Sequence, residues 1–163
     1  MTDNLLVPVD SFDPWARAIA ETVVEMESPA KTTVHLIHTF GEAERQSTAD
    51  NLGVDEGTPV DNLVAQKSSV KAAEKVLSRA GFDPVVHGAV SDDPGHTIVS
   101  WTESHDTDRV YAYSRKRSPV GKAVFGSAIQ ELLFNAAVPV IVLPADAARQ
   151  RTDAESSVAN TED

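Results

Sequence analysis

Short apolar runs alternate with helical patterns along most of the chain. Runs rich in branched and apolar residues are typical of buried strands, whereas apolar residues three and four positions apart indicate helices with one buried face. The predicted strands are residues 5–9, 33–40, 84–90, 109–112 and 138–143. The predicted helices are residues 14–26, 62–80, a short one that opens at 91–94 and runs to about 104, and 127–135.

This regular alternation predicts an α/β fold, a mostly parallel five-stranded sheet with helices on both faces. Right-handed crossovers place ligands beyond the C-terminal strand ends, where the winding reverses. Residues 41–62 show no clear period, so we expect a long surface loop there. Residues 145–163 are polar and lack aromatic side chains, so we expect a disordered tail. The chain thus divides into one domain, residues 1–144, and a tail.

Length and composition limit the class of protein. The 163 residues are enough for one buried core, and no apolar run or leader-like segment predicts a membrane or secretory route. We therefore expect a cytoplasmic protein without a membrane partner. The absence of cysteine excludes disulfides, thiolate metal sites and a cysteine nucleophile.

The charge balance is strongly acidic. Asp and Glu outnumber Lys and Arg by 25 to 14, a net charge of −11, which disfavours a nucleic-acid-binding surface. A strongly acidic composition suits the high-salt cytosol of a halophile, where salt screens the repulsion between like charges. An ordinary acidic protein is the alternative.

One basic segment stands out against this background. Residues 115–122 carry four of the fourteen basic residues and lie between the fourth predicted strand and the last predicted helix. Strand-to-helix loops of α/β folds bind anions, because free backbone N–H groups gather at the helix N-terminus. The segment predicts a phosphate-bearing ligand. The alternative is a solvated loop that offsets nearby acidic residues.

Other motifs predict little chemistry. His35 and His38 have the spacing of metal ligands, but residues three apart on a strand point to opposite faces, so no metal site is predicted. Gly121-Lys122 lacks the first glycine and the Ser or Thr of a P-loop. No Ser/His/Asp arrangement can be identified, so no catalytic residue is assigned and we expect a protein that is not an enzyme.

Four short motifs occur in order along the chain. They are Val7-Pro8-Val9-Asp10, Leu36-Ile37-His38, Gly88 with Asp92-Asp93-Pro94-Gly95-His96, and the block 113–144 that ends Val138-Pro139-Val140-Ile141-Val142-Leu143-Pro144. Together they resemble the universal stress protein family over about residues 3–144. The resemblance implies a flavodoxin-like, Rossmann-like three-layer fold with strand order 3-2-1-4-5. It also implies homodimers, often paired through the last strand, and the basic loop is similar to a variant common among haloarchaeal members.

Some members of this family bind adenine nucleotide through the pattern Gly-x2-Gly-x9-Gly-Ser/Thr. Aligned on Gly126-Ser127, the pattern places its first two glycines at Tyr113 and Lys116, so only the final pair is retained. Glycine permits φ > 0 and a close approach to phosphate, and another residue held at φ > 0 costs roughly 1 kcal/mol or more. Either the nucleotide site is lost, or basic residues 115–117 replace the backbone donors with charge-assisted bonds.

The resemblance implies a set of site residues and cofactors. Asp10 would face the adenine or ribose with Thr39 beside it, and Ser127 would donate to a phosphate. The ligands expected are ATP, ADP or another phosphate-bearing molecule, with Mg²⁺. Structural alternatives are a turn cap for Asp10, a strand end for Thr39 and a helix N-cap for Ser127. The remaining residues of the set are Ala112 and Tyr113 beside the base, and Arg115, Lys116 and Gly126 at the phosphates.

Three functions stay open. The residues favour a non-enzymatic stress-response regulator, a homodimer whose adenine-nucleotide site is lost or weakened. The second is an ATP-binding member that uses the basic loop, with slow hydrolysis or autophosphorylation at Ser127. The third is a module whose basic loop docks an acidic protein partner or a nucleic-acid phosphate, although nucleic acid is disfavoured by the overall charge.

Overall fold

Strands and helices alternate along the chain. The computed structural model describes residues 2–114, 116–117, 123–124 and 126–144. The strands are β1 (Asp3–Pro8), β2 (Thr32–Phe40), β3 (Val85–Val90), β4 (Arg109–Tyr113), β5 (Lys116–Arg117), β6 (Ala123–Val124) and β7 (Val140–Leu143). The helices are α1 (Asp13–Met26), α2 (Glu42–Leu52), α3 (Val60–Ala65), α4 (Ser68–Arg79), α5 (Pro94–Ser104) and α6 (Ser127–Asn135).

Five of the strands form one parallel sheet in the order β3-β2-β1-β4-β7. Leu6 of β1 pairs with His35 on one side and Val110 on the other, which puts β1 at the centre. The predicted fold class and strand order 3-2-1-4-5 are confirmed, with β7 as the fifth strand. The antiparallel pair of β5, in the basic segment, with β6, just after it, was not predicted.

The two faces of the sheet carry separate apolar clusters. Val7, Leu36 and Tyr111 belong to the cluster that includes residues of α1 and α4, while Leu6 and Ile37 belong to the cluster that includes residues of α5 and α6. Neighbouring residues along a strand alternate between the faces because the side-chain period of a strand is two. Helices therefore cover both faces, as predicted.

The expectation of a loop over residues 41–62 is wrong. Glu42–Leu52 is helical and α3 begins at Val60. Helix α2 is almost entirely polar, and Ala49 is its buried residue, so it lacks the apolar period that predicts a helix. The prediction of a single helix over residues 62–80 is also wrong. The structure has two helices there, since α3 ends at Ala65 and α4 begins at Ser68. The predicted tail, residues 145–163, lies outside the described residues.

An ion-pair network joins α1 to the starts of β1 and β4. The carboxylate of Glu27 accepts from Arg109 Nε at 2.7 Å, from Arg109 Nη2 and from the Tyr111 hydroxyl at 2.7 Å. Arg109 Nη1 also donates to Asp3 at 3.1 Å. The hydrogen bond to Glu27 raises the pKa of Arg109, and burial followed by the hydrogen bond to Glu27 raises the pKa of Tyr111 to about 12.

Candidate functional site

A cavity of about 330 Å³ opens at the C-terminal ends of β1, β2 and β4. Residues of α1, α5 and α6 form its walls. Its inner surface is polar and apolar in similar proportions, with a carboxylate, an imidazole and three hydroxyls among the apolar side chains. The lining residues are Pro8, Val9, Asp10, Trp15, Ala16, Ile19, Ile37, His38, Thr39, Pro94, Ile98, Ala112, Tyr113, Gly126, Ser127, Ala128, Ile129 and Leu132.

The strand order explains why the cavity lies here. After β1 the chain continues toward β2, whereas after β4 it continues toward β7 on the opposite side of the sheet. Because β1 and β4 are neighbours, the connections that leave their C-terminal ends diverge. In doubly wound sheets such a reversal creates the crevice that binds ligands.

Six of the eight predicted site residues line this one cavity. Lys116 is described only as backbone, paired with Val124 across β5–β6, and Arg115 lies outside the described residues. The structure thus brings together the residues assigned to the base and ribose with the Gly126-Ser127 pair, while their roles stay predictions. The six are Asp10, Thr39, Ala112, Tyr113, Gly126 and Ser127.

An aromatic pair forms part of the cavity wall. The Tyr113 ring, at the end of β4, stacks on Trp15 in the first turn of α1, with centroids 5.7 Å apart and planes at 26°. Phe12 meets Trp15 edge-on at 4.8 Å and is 49% exposed. Among the described residues every positive φ belongs to glycine, so Tyr113 carries no left-handed strain. Its difference from glycine at this position is the bulk of its side chain.

The start of α6 borders the cavity with its backbone N–H groups. Gly126 is the N-cap residue and none of the described side chains caps this helix, so Ser127 is the first helical residue. The interpretation of Ser127 as the N-cap is therefore wrong. Uncapped N–H groups in a first turn, next to a cavity, can donate to an anionic group of a ligand.

A polar network closes the cavity on the side of α2. His38 Nδ1 donates to the Val9 carbonyl at 2.7 Å, and His38 Nε2 lies 3.1 Å from Glu44 Oε1. The same carboxylate oxygen accepts from Lys67 at 2.9 Å. Burial works against ionisation of Glu44, but the bond from Lys67 and the charge of His38 outweigh it and lower its pKa. This network was not predicted, because α2, which carries Glu44, was expected to be a loop.

The described residues form neither a metal-ligand group nor a membrane-spanning helix. Over residues 2–114 and 126–144, no three His, Asp or Glu side chains converge as a metal-ligand group. In the same part of the chain, every helix is too short or too polar to cross a bilayer.

Known proteins that are similar to this chain include solved structures with the same fold. A universal stress protein from Mycolicibacterium smegmatis is 27% identical over 134 residues, which cover 82% of this chain and 92% of that protein. A solved universal stress protein from Archaeoglobus fulgidus has a TM-score of 0.64 at 22% identity and covers 87% of this chain and 98% of its own. Another, solved in complex with cAMP, has a TM-score of 0.60 at 11% identity and covers 88% of this chain and 98% of its own.

Fold and cavity together define a doubly wound α/β protein of the flavodoxin-like class, with a ligand crevice at the switch point. The model of the Universal stress protein family matches residues 1–144. The chain belongs to that family.

Proposed function

We propose that this protein is a non-enzymatic regulator of the universal stress family, a homodimer whose adenine-nucleotide site keeps its base-and-ribose part and is weakened at the phosphates. The observation that carries the proposal is the position of the Tyr113 side chain. Its ring lies in the cavity wall against Trp15, where the resemblance expects the first glycine of the phosphate loop. A phosphate chain needs close approach to backbone donors there, and the phenol ring takes up that space.

The remaining cavity fits a nucleoside. Asp10 is half-buried at the end of β1, and its Oδ1 accepts from the Ser11 backbone at 2.7 Å. Thr39 and Ala112 border the same space. A cleft of a few hundred Å³ that combines apolar side chains with fixed polar groups is suited to a small ligand, and a nucleobase with its ribose has this mixed character.

The second candidate is an ATP-binding member that uses its basic loop. The uncapped start of α6 beside the cavity favours it, because such a helix end attracts phosphate. A solved structural neighbour holds cAMP, which supports a phosphate-bearing ligand in both candidates. Charge-assisted bonds from the basic residues of the loop to the phosphates would then compensate for the backbone contacts that the Tyr113 ring prevents.

Calorimetric titration with adenosine and with ATP plus Mg²⁺ separates the two candidates. For a weakened phosphate site, ATP binds no more tightly than adenosine. Replacing Tyr113→Gly then tightens ATP about tenfold, equivalent to about 1.4 kcal/mol, because the phosphates reach the backbone. Adenosine affinity changes less, since the base does not need that space.

Tyr113→Phe is the matched control, because it keeps the ring and removes only the hydroxyl. It should bind both ligands as the unmodified protein does. An ATP affinity far above that for adenosine in the unmodified protein would instead establish the second candidate. Release of ADP during the titration would contradict the non-enzymatic part of the proposal.

The edge of β7 supports the homodimer. The Pro139 carbonyl accepts from Val110 of β4, and the Leu143 carbonyl accepts from Ser114, just after β4. Alternation therefore turns the backbone groups of Val140 and Val142 toward the outer edge of the sheet. On α6, Phe134 is 82% exposed. An edge strand that pairs on one side only among the described strands, in a domain that also exposes a large aromatic residue, is suited to pairing with a second copy.

Replacing Val142→Pro should yield monomers in sedimentation velocity. Proline removes an N–H that faces the open edge but none that bonds to β4, so the fold should persist in circular dichroism. Val142→Thr keeps the N–H and should remain dimeric. A Val142→Pro protein that sediments as a dimer would refute pairing through β7.

A further inference from the structure

His38 has both of its ring nitrogens against acceptor oxygens. The side chain is 6% exposed, its Nδ1 lies 2.7 Å from the Val9 carbonyl, and its Nε2 lies 3.1 Å from Glu44 Oε1. A carbonyl and a carboxylate only accept hydrogen bonds, so each ring nitrogen needs a proton of its own. The geometry therefore requires the doubly protonated, positively charged ring.

The charged groups around His38 hold that state. Glu44 Oε1 also accepts from Lys67 Nζ at 2.9 Å, and although burial works against its ionisation, the bond from Lys67 and the charge of His38 lower the pKa of Glu44. Asp10, after β1, brings a second carboxylate to the same cavity. Gly88, the register partner of His38 on β3, has no side chain. The ring thus meets an ionised carboxylate on the side of α2.

Helix α2 is fastened to the domain through this carboxylate. Ser11, His38 and Lys67 all donate to Glu44 Oε1, and they belong to three different segments of the chain. The buried residue of α2 is Ala49, and the rest of the helix is largely polar. With so little apolar burial, the position of α2 depends on the bonds to Glu44.

Loss of one proton from His38 makes one of its two contacts repulsive. A ring with a single N–H places a lone pair against either the Val9 carbonyl or the Glu44 carboxylate. Val9 cannot move away, because it is buried and its backbone N–H donates to the Ile37 carbonyl at 2.8 Å. The Glu44 side chain is 38% exposed and can turn into solvent. The repulsion is therefore relieved on the side of α2.

We propose that His38, Glu44 and Lys67 form a proton-dependent latch that holds α2 against the end of β2, and that α2 is released when His38 loses its second proton. That proton passes from Nε2 to solvent. A bond that needs a charged histidine is present at low pH and is lost as the pH rises. Because His38 borders the cavity, the latch gives the site a dependence on pH, and only this consequence rests on the proposed function.

The test is amide hydrogen exchange of the full chain without ligand, followed by mass spectrometry from about pH 6 to about pH 9. After correction for the intrinsic effect of pH on exchange, protection of α2 should fall about tenfold, as expected for a lost hydrogen bond to a charged group. Helix α4 is the internal reference and should keep its protection. Constant protection of α2, or an equal fall in α4, would overturn the latch. The proposed nucleotide site would survive that result, because no ligand is present.

Glu44→Gln distinguishes a latch from a merely structural contact. Its amide group can accept from the protonated ring and donate to the neutral ring, so both states of His38 keep a partner. We expect protection of α2 that no longer changes with pH. Glu42→Gln is the matched control, because it removes the other carboxylate of the first turn, which pairs with Arg45, and it should keep the pH dependence. A pH dependence that survives in Glu44→Gln, or vanishes in Glu42→Gln, would contradict the proposal.

Nuclear magnetic resonance of the ring nitrogens keeps the proposal testable if a variant fails to fold. In the unmodified protein, ¹⁵N spectra assigned through the backbone report which nitrogens of His38 carry protons. We expect two protonated nitrogens at about pH 6 and one at about pH 9, in step with the loss of α2 protection. A single protonated nitrogen at every pH would overturn the latch, and so would a His38 that titrates without any change in α2.

Discussion

Replacing Glu27→Gln should lower the free energy of unfolding by about 3 kcal/mol, the low end for a broken buried ion pair. The Glu27 side chain is 10% exposed and that of Arg109 is 21% exposed. Glutamine keeps the size of the side chain but presents one acceptor oxygen, so the guanidinium is left half-buried without its charge partner. Asp3, at 3.1 Å from Arg109, limits the loss because its carboxylate remains. Urea unfolding at pH 7 measures the change.

Two controls separate the ion pair from the network around it. Tyr111→Phe removes one hydrogen bond to Glu27 and should cost about 1 kcal/mol. Glu103→Gln changes an exposed carboxylate on α5 and should stay within about 0.5 kcal/mol. A Glu27→Gln protein as stable as the Glu103 variant would show that solvent compensates Arg109 fully.

The same pair predicts a pH dependence. The hydrogen bond from Arg109 lowers the pKa of Glu27 from its ordinary value of 4.5. A carboxyl group with a lowered folded pKa stabilises the protein above the unfolded value, and this contribution is lost as the pH falls through the folded pKa. The stability difference between the unmodified protein and Glu27→Gln should therefore be full above pH 4.5 and shrink below it. A constant difference across that range would contradict the assignment.

The parts of the fold that could be predicted were those with a clear apolar period. Strand β2 and helix α6 lie within one residue of their predicted bounds, because their buried side chains repeat at two and at three to four positions. Helix α2 could not be found this way, since contacts with the rest of the domain, and not an apolar stripe, hold it in place. Ser11 and Lys67, for example, both donate to Glu44.

The candidate site also has parts that could be predicted from the sequence and parts that could not. Residues at the end of a strand, such as Thr39, or just after one, such as Asp10, could be placed at one edge of the sheet from topology alone. The stacking of Tyr113 on Trp15 joins residues 98 positions apart, as the difference of their numbers shows, and no local pattern marks such a pair. The same holds for His35 and His87, which meet because β2 and β3 are neighbours. Side-chain pairing across strands depends on register, which is a property of the assembled sheet.

Glycine at position 88 has a role in packing that its place in a strand does not predict. A methyl group there would lie 2.4 Å from Val60 Cγ1, 2.8 Å from Val64 Cγ2 and 2.9 Å from the Val60 carbonyl carbon. Helix α3 can rest on β3 only because the strand has no side chain at this point. The Asp61 carboxylate then accepts from the Gly88 N–H at 2.6 Å, which holds the helix to the strand.

Replacing Gly88→Ala should therefore lower the free energy of unfolding by about 2–3 kcal/mol, as overpacking does in a closed interface. Gly126→Ala is the matched control, because no atom of the described residues lies within 4 Å of a methyl group there and its φ of −66° suits any residue. It should stay within about 0.5 kcal/mol. Adding Val60→Ala to Gly88→Ala removes the nearest clash and should recover part of the loss, giving a coupling that urea unfolding of the four proteins measures. Additive losses in that cycle would mean that α3 moves away from β3 as a unit, because a displaced helix no longer places Val60 against the new methyl group.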